Sequence, residues 1–176
     1  MRPILPVSIA LLFLFAPAFQ SIAELIPNQQ DIQNIPFHTP VYTEGKSLPE
    51  HIIQSMTVGP EDGIILIHKI ITVHFGTTLT IKPGTTVAIA EYGGIRVFGT
   101  LTAQGTEENP IQFISNEKNE VNRNWSGILF ESTGNGTIKY AVFHHASPAM
   151  SCATPGKVLV QNTSYLFGNL DLYDAC

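Results

Sequence analysis

Apolar residues recur at a step of 22 between Ile65 and Ile111, and this step narrows the possible folds more than any other feature of the chain. Ile67, Ile89 and Ile111 stand 22 apart, and the same interval joins Ile65 to Val87, Val73 to Ile95 and Leu79 to Leu101. The repeating unit consists of short β-prone runs, Leu79-Thr80-Ile81, Val87-Ala88-Ile89 and Ile95-Arg96-Val97, cut by Gly and Pro. A repeat of this size and texture is one solenoid coil, which buries its apolar residues only against its neighbours. The predicted fold is all-β, a parallel β-helix with coils of about 22 residues. Side chains alternate along a strand, so Leu79, Ile81, Ile95 and Val97 are expected inside, and Thr78, Thr80 and Arg96 outside. Coils stacked about 4.8 Å apart would set Ile67, Ile89 and Ile111 one above another as an interior ladder.

Hydrophobic residues make up 44% of the 176, which suits one globular β domain. Arg2, the apolar run from Val7 to Phe19 and the small residues of Ser21-Ile22-Ala23 read as an export signal over residues 1–23, removed in the mature chain. A membrane anchor is the competing reading, but Pro3, Pro6 and Pro17 interrupt a run shorter than the roughly 20 residues a span requires. Loss of Arg2 leaves 8 basic against 14 acidic residues, a net charge of −6. No nucleic-acid partner is expected from that balance, and no membrane association once the signal is gone. The expected location is secreted, cell-surface or periplasmic.

Residues 24–50, with Pro27, Pro36 and Pro40 among Asn and Gln, read as an irregular lead-in, and residues 51–176 as the β-helix domain. His51–Ser55 is expected to be a strand, and Ile64–Val73 two short ones. The polar segment between Ser115 and Asn124 reads as a loop inserted at a corner. It accounts for the interval of 33 between Gly94-Ile95 and Gly127-Ile128. Beyond it, Ile138 to Val158 and Tyr140 to Val160 suggest a shorter coil of 20, and Asn162 reads as a bend residue.

The runs His51-Ile52-Ile53-Gln54-Ser55, Gly76-Thr77-Thr78-Leu79-Thr80-Ile81-Lys82-Pro83-Gly84-Thr85, Gly105-Thr106-Glu107-Glu108-Asn109-Pro110-Ile111-Gln112-Phe113 and Trp125-Ser126-Gly127-Ile128 carry a family likeness. They resemble the right-handed parallel β-helix modules of bacterial and archaeal exported cell-surface proteins, from about His51 to Tyr173. The resemblance implies a non-enzymatic scaffold, structural or adhesive, often one module of a longer chain.

Polysaccharide lyases and hydrolases share this architecture, so a carbohydrate-active enzyme is the alternative, with a truncated remnant of a longer surface protein as a third reading. A hydrolase needs two carboxylates at a set separation. Glu61-Asp62 and Glu107-Glu108, 46 residues apart, are placed near one edge by two coils. Both flank Pro, where a solvated corner is the ordinary explanation. Asp31, Asp62, Asp171 and Asp174 are too scattered for a Ca²⁺ cage. The rings of His144-His145 point to opposite faces of a strand and cannot share a metal. No catalytic residue, metal or cofactor is therefore assigned. Tyr92, Phe98 and Trp125 are candidates for stacking on sugar rings, against the alternative that they cover corners. Glycans or cell-surface proteins are the expected partners. Cys152 and Cys176, 24 apart or about one coil, are expected to form a disulfide in an oxidising compartment. The residues after Phe167 offer no capping helix, which predicts end-to-end self-association.

Overall fold

The computed structural model describes residues 41–117, 125–146, 148–153 and 157–166, all within the compact unit Thr39–Cys176. It is a parallel β-solenoid of about five coils, each of three strands. The first coil is β1 (Lys46–Ser47), β2 (His51–Ile52) and β3 (Met56–Val58), and the second is β4 (Ile65–Ile67), β5 (Ile70–Val73) and β6 (Thr78–Ile81). The third is β7 (Thr86–Ile89), β8 (Gly94–Val97) and β9 (Thr100–Gln104), and the fourth is β10 (Ile111–Ser115), β11 (Ile128–Phe130) and β12 (Asn135–Lys139). The fifth is β13 (Ala141–His144), β14 (Met150–Cys152) and β15 (Val158–Gln161), and β16 (Ser164–Leu166) opens the next. Among the described residues the only helical element is a 3-10 turn at Pro60–Asp62. None of their helices is long and apolar enough to cross a membrane.

Equivalent strands of successive coils pair in parallel, giving a first sheet β1-β4-β7-β10-β13-β16, a second β2-β5-β8-β11-β14 and a third β3-β6-β9-β12-β15. The expected faces hold: Leu79, Ile81, Ile95 and Val97 are buried, Arg96 is exposed, and Thr78 and Thr80 are half-buried on the outside. Inside, Ile65, Val87, Phe113, Phe143 and Tyr165 form one column of the first sheet. Ile52, Val73, Val97, Phe130 and Cys152 form the matching column of the second.

The ladder drawn from a constant step is corrected in three places. Ile67 does lie opposite Ile89, but the residue above Ile89 is Ser115. Ile111 stands instead beside Thr85, whose carbonyl accepts from Gln112 N at 2.9 Å. The cause is a tight turn at Thr106–Asn109, closed by Thr106 N to Asn109 O (3.1 Å) and Asn109 N to Thr106 Oγ1 (3.0 Å), which lengthens the corner after β9. In the second sheet Val73 pairs with Val97, and Ile95 with Ile71, a step of 24. After the loop, Ile138 pairs with Val160 and Gly136 with Val158, so that coil keeps 22 residues and not 20. The 33-residue interval is as expected, since Ile128 lies opposite Ile95.

The ladder begins earlier than His51, because Lys46 and Ser47 pair with Ile65 and Leu66. The segment before it is also tied down. Asn116 accepts from Tyr42 N (2.7 Å) and donates to Tyr42 O (2.9 Å), and Tyr42 packs on Leu66, Ala88 and Ile114. Those three residues face outward from the first sheet yet are buried. Asn162 takes the left-handed bend conformation, φ 51°, that Asn tolerates. The export signal, the lead-in up to residue 40, residues 118–124 of the inserted loop, Cys176 and the chain after Leu166 lie outside the described residues.

Candidate functional site

With the outer side of the first sheet covered at Leu66, Ala88 and Ile114, the second and third sheets present the open faces. On the third, Thr57, Thr80, Thr102 and Thr137 form one outward column, and Thr78, Thr100 and Asn135 form another. The columns are uncharged, and within the second Thr100 Oγ1 donates to Asn135 Oδ1 at 3.1 Å. They carry no aromatic ring.

The second sheet is uneven. Its outer side holds a shallow groove lined by Ile70, Gly94, Ile95, Arg96, Ser126, Gly127 and Leu129. Two glycines in register make the floor, and the backbone explains why both are glycine. A Cβ on Gly94 would lie 2.9 Å from the Gly127 carbonyl oxygen, and one on Gly127 would lie 1.9 Å from that of Pro148. Arg96 and Leu129, neighbours in the adjacent outward column, flank the missing side chains. Arg96 Nε faces Glu131 Oε1 at 3.3 Å, leaving the guanidinium about half exposed.

Beside this groove stands Tyr92. Ser126, one of the lining residues, donates its hydroxyl to the Tyr92 carbonyl at 3.2 Å. The Tyr92 side chain is 74% exposed, and its backbone sits at φ 60°. A bulky residue in the left-handed region is strained, at a cost of roughly 1–2 kcal/mol that Gly would avoid. The hydroxyl bonds the Glu91 carboxylate, and that bond together with the negative charge pushes its pKa up. It therefore stays protonated and is committed to Glu91, while the ring stands exposed.

The other two aromatic candidates fare differently. Phe98 is half-buried in the bend between β8 and β9, a corner position. Trp125 is not available for stacking on a ligand: it is wholly buried, its ring 6.3 Å from that of Phe113 and 6.0 Å from that of Phe143. Its indole N–H donates to the His144 carbonyl at 2.9 Å. The indole fills the corner at which the ladder reopens after the loop, where Trp125 pairs with Ala146.

The acidic pairs occupy stacked corners, those after β3 and β9, as their spacing implied. Glu61 and Asp62 are held by lysines: Asp62 by Lys46 at 2.7 Å, and Glu61 by Lys82 from the intervening coil. Hydrogen bonds from these lysines are the main cause that keeps both carboxyls below the usual carboxylate range. A general acid needs the opposite shift. His144 closes β13, buried, with Nε2 3.2 Å from Gln112 Oε1, and burial lowers its pKa. His145 leaves the strand at φ 58°. Among the described residues no three His, Cys, Asp or Glu are grouped as a metal site. Cys152 faces inward at the last described position of its column, and its pairing with Cys176 lies outside the described residues.

Comparison with protein-family models, with curated protein sequences and with solved structures finds no match. The groove was half legible in sequence. Gly94-Ile95 and Gly127-Ile128 mark equivalent positions, but only the register places both glycines on an outer face.

Proposed function

We propose that the chain is an exported, non-enzymatic scaffold of the cell surface, with an adhesive function carried by the groove of the second sheet. The ligand class is a short stretch of a surface glycan. The observation that supports this is Tyr92, an exposed aromatic kept in a strained conformation next to a glycine-floored groove with a guanidinium, a carboxylate and a hydroxyl at hand. Strain persists where a site requires it, and an aromatic face flanked by fixed polar groups is the usual means of holding a sugar ring. The signal-like residues 1–23 and the resemblance to exported β-helix modules support the location. The lysine-held carboxylates favour the scaffold over the glycosidase alternative.

A glycan array with the purified chain tests the reading. Binding that is lost in Tyr92→Gly, while that variant melts at the same or a higher temperature, is the expected result. The gain in stability should be about 1 kcal/mol, because Gly relieves the left-handed strain. Absence of glycan binding overturns the adhesive role. Release of reducing ends or unsaturated uronides from polysaccharides overturns the non-enzymatic one.

A further inference from the structure

We propose that His51 and His74 form a metal site, a two-imidazole seat for a divalent cation of the zinc class, which ties the first coil to the second. His51 Nδ1 and His74 Nε2 lie 3.2 Å apart, with ring centroids 5.3 Å apart and planes at 61°. Two imidazoles bound to one tetrahedral zinc at about 2.0–2.1 Å hold their nitrogens about 3.4 Å apart. The two rings therefore already span the bite of one ion, and a small rotation of each aims both lone pairs at it.

The placement suits an open site. His51 lies on β2, opposite Thr72 of β5, and His74 follows Val73, the last residue of β5. Both rings stand on the outer side of the second sheet, His51 exposed and His74 half-buried, so water can complete the coordination. Glu50, next in sequence to His51, is engaged by Lys69 at 2.7 Å, so the site is written with two protein ligands. Two neutral rings already carry the protons they need. On binding, the proton shared between the facing nitrogens moves to the far nitrogen of its own ring, and no oxidant or further base is required.

The site also lies where a cross-link would act most strongly on the solenoid. β2 has only two residues, and next to the ring pair the backbone contributes His74 N to Ile52 O at 3.1 Å. A cation bound across the two coils would hold the short first strand by its side chains.

The test uses the full chain, purified without an affinity tag. Zn²⁺ is titrated calorimetrically above neutral pH, and Cu²⁺ is added in trace amounts to a ¹⁵N-labelled sample. The expected result is one Zn²⁺ site whose affinity falls at least about tenfold in His51→Gln and in His74→Gln. It should be unchanged in His68→Gln, and Cu²⁺ should broaden the Ile52 and Val73 amides first. Zn²⁺ should also raise the melting temperature of the parent chain but not of the double variant, whose metal-free melting temperature reports that it folds. The proposal is overturned if Zn²⁺ does not bind, if binding survives in folded His51→Gln or His74→Gln, or if broadening centres on His144 and His145.

Discussion

The first coil and the later coils are held together by different means. At the start of the solenoid the strands are two or three residues long, and charges close the corners: Lys46 with Asp62, Lys69 with Glu50 and Lys82 with Glu61. Farther along, the interior is an aromatic stack. Phe113 and Phe143 lie 4.8 Å apart and near parallel at 17°, Tyr165 follows Phe143 at 5.3 Å, and Trp125 packs from the side. The difference lies in the side chains at equivalent positions: the column that holds Ile65 and Val87 in the second and third coils holds Phe113, Phe143 and Tyr165 beyond them. An exposed ion pair contributes about 0–1 kcal/mol and a buried ring several, so the stack should be the stable end and the clamped coil the one that opens first.

The largest expected effect is that of Ile89→Asp, which places a charge among fully buried neighbours between Ile67 and Ser115. The domain should not fold, because an unpaired buried charge costs as much as the total stability of a small domain. Thr80→Asp, on an outer face, should leave the melting curve nearly unchanged. If circular dichroism shows equal losses for both, the assignment of inner and outer faces is wrong.

Next comes the contrast itself. Phe143→Ala should cost about 3–5 kcal/mol in denaturant unfolding, and Ile52→Ala in the first coil about 2 kcal/mol, since a gap near the end of the solenoid can collapse. Equal costs would remove the distinction between the two regions. Somewhat smaller is the proposed Cys152–Cys176 bond, worth about 3.5 kcal/mol for a loop of this length by the chain-entropy argument. Reductant should lower the melting temperature, and non-reducing peptide mapping should find the two cysteines joined. Two alkylatable thiols would mean that packing alone holds the later coils.

The smallest effect is that of pH. The lysine partners lower the folded-state pKa of Glu50, Glu61 and Asp62 below their ordinary values. Their contribution is therefore complete above about pH 4 and lost as pH falls through the folded values. Lys69 and Lys82 are raised by the same contacts, so the contribution also fades as pH climbs past their ordinary value. Burial lowers the pKa of His144, which makes stability decline as pH drops below about 6.5. Hydrogen exchange should show the stacked coils responding first, near His144, and the amides of β2 and β3 following only below about pH 4. If the first coil loosens at mildly acid pH with no change at His144, the clamps are not what holds it.

The sequence by itself determined the class of fold, the alternation of inside and outside along each strand, and the step from the second coil to the third along the first and third sheets. Periodicity is a local property: a strand must alternate, and a coil must present its apolar residues to identical neighbours, so Ile65 over Val87 and Leu79 over Leu101 follow from counting. Only the tertiary structure decided the rest. The turn at Thr106–Asn109 displaces Ile111 from above Ile89, and counting cannot see where within a coil extra residues are absorbed. Trp125 reads as a ligand platform until parallel register packs its ring, wholly buried, against Phe113 and Phe143. His51 and His74, 23 residues apart and unremarked in the sequence, meet because parallel register sets the corners of successive coils side by side. Tyr92 keeps its standing as a candidate for a reason that composition does not carry, namely the backbone conformation that it alone of the three aromatic candidates is made to adopt.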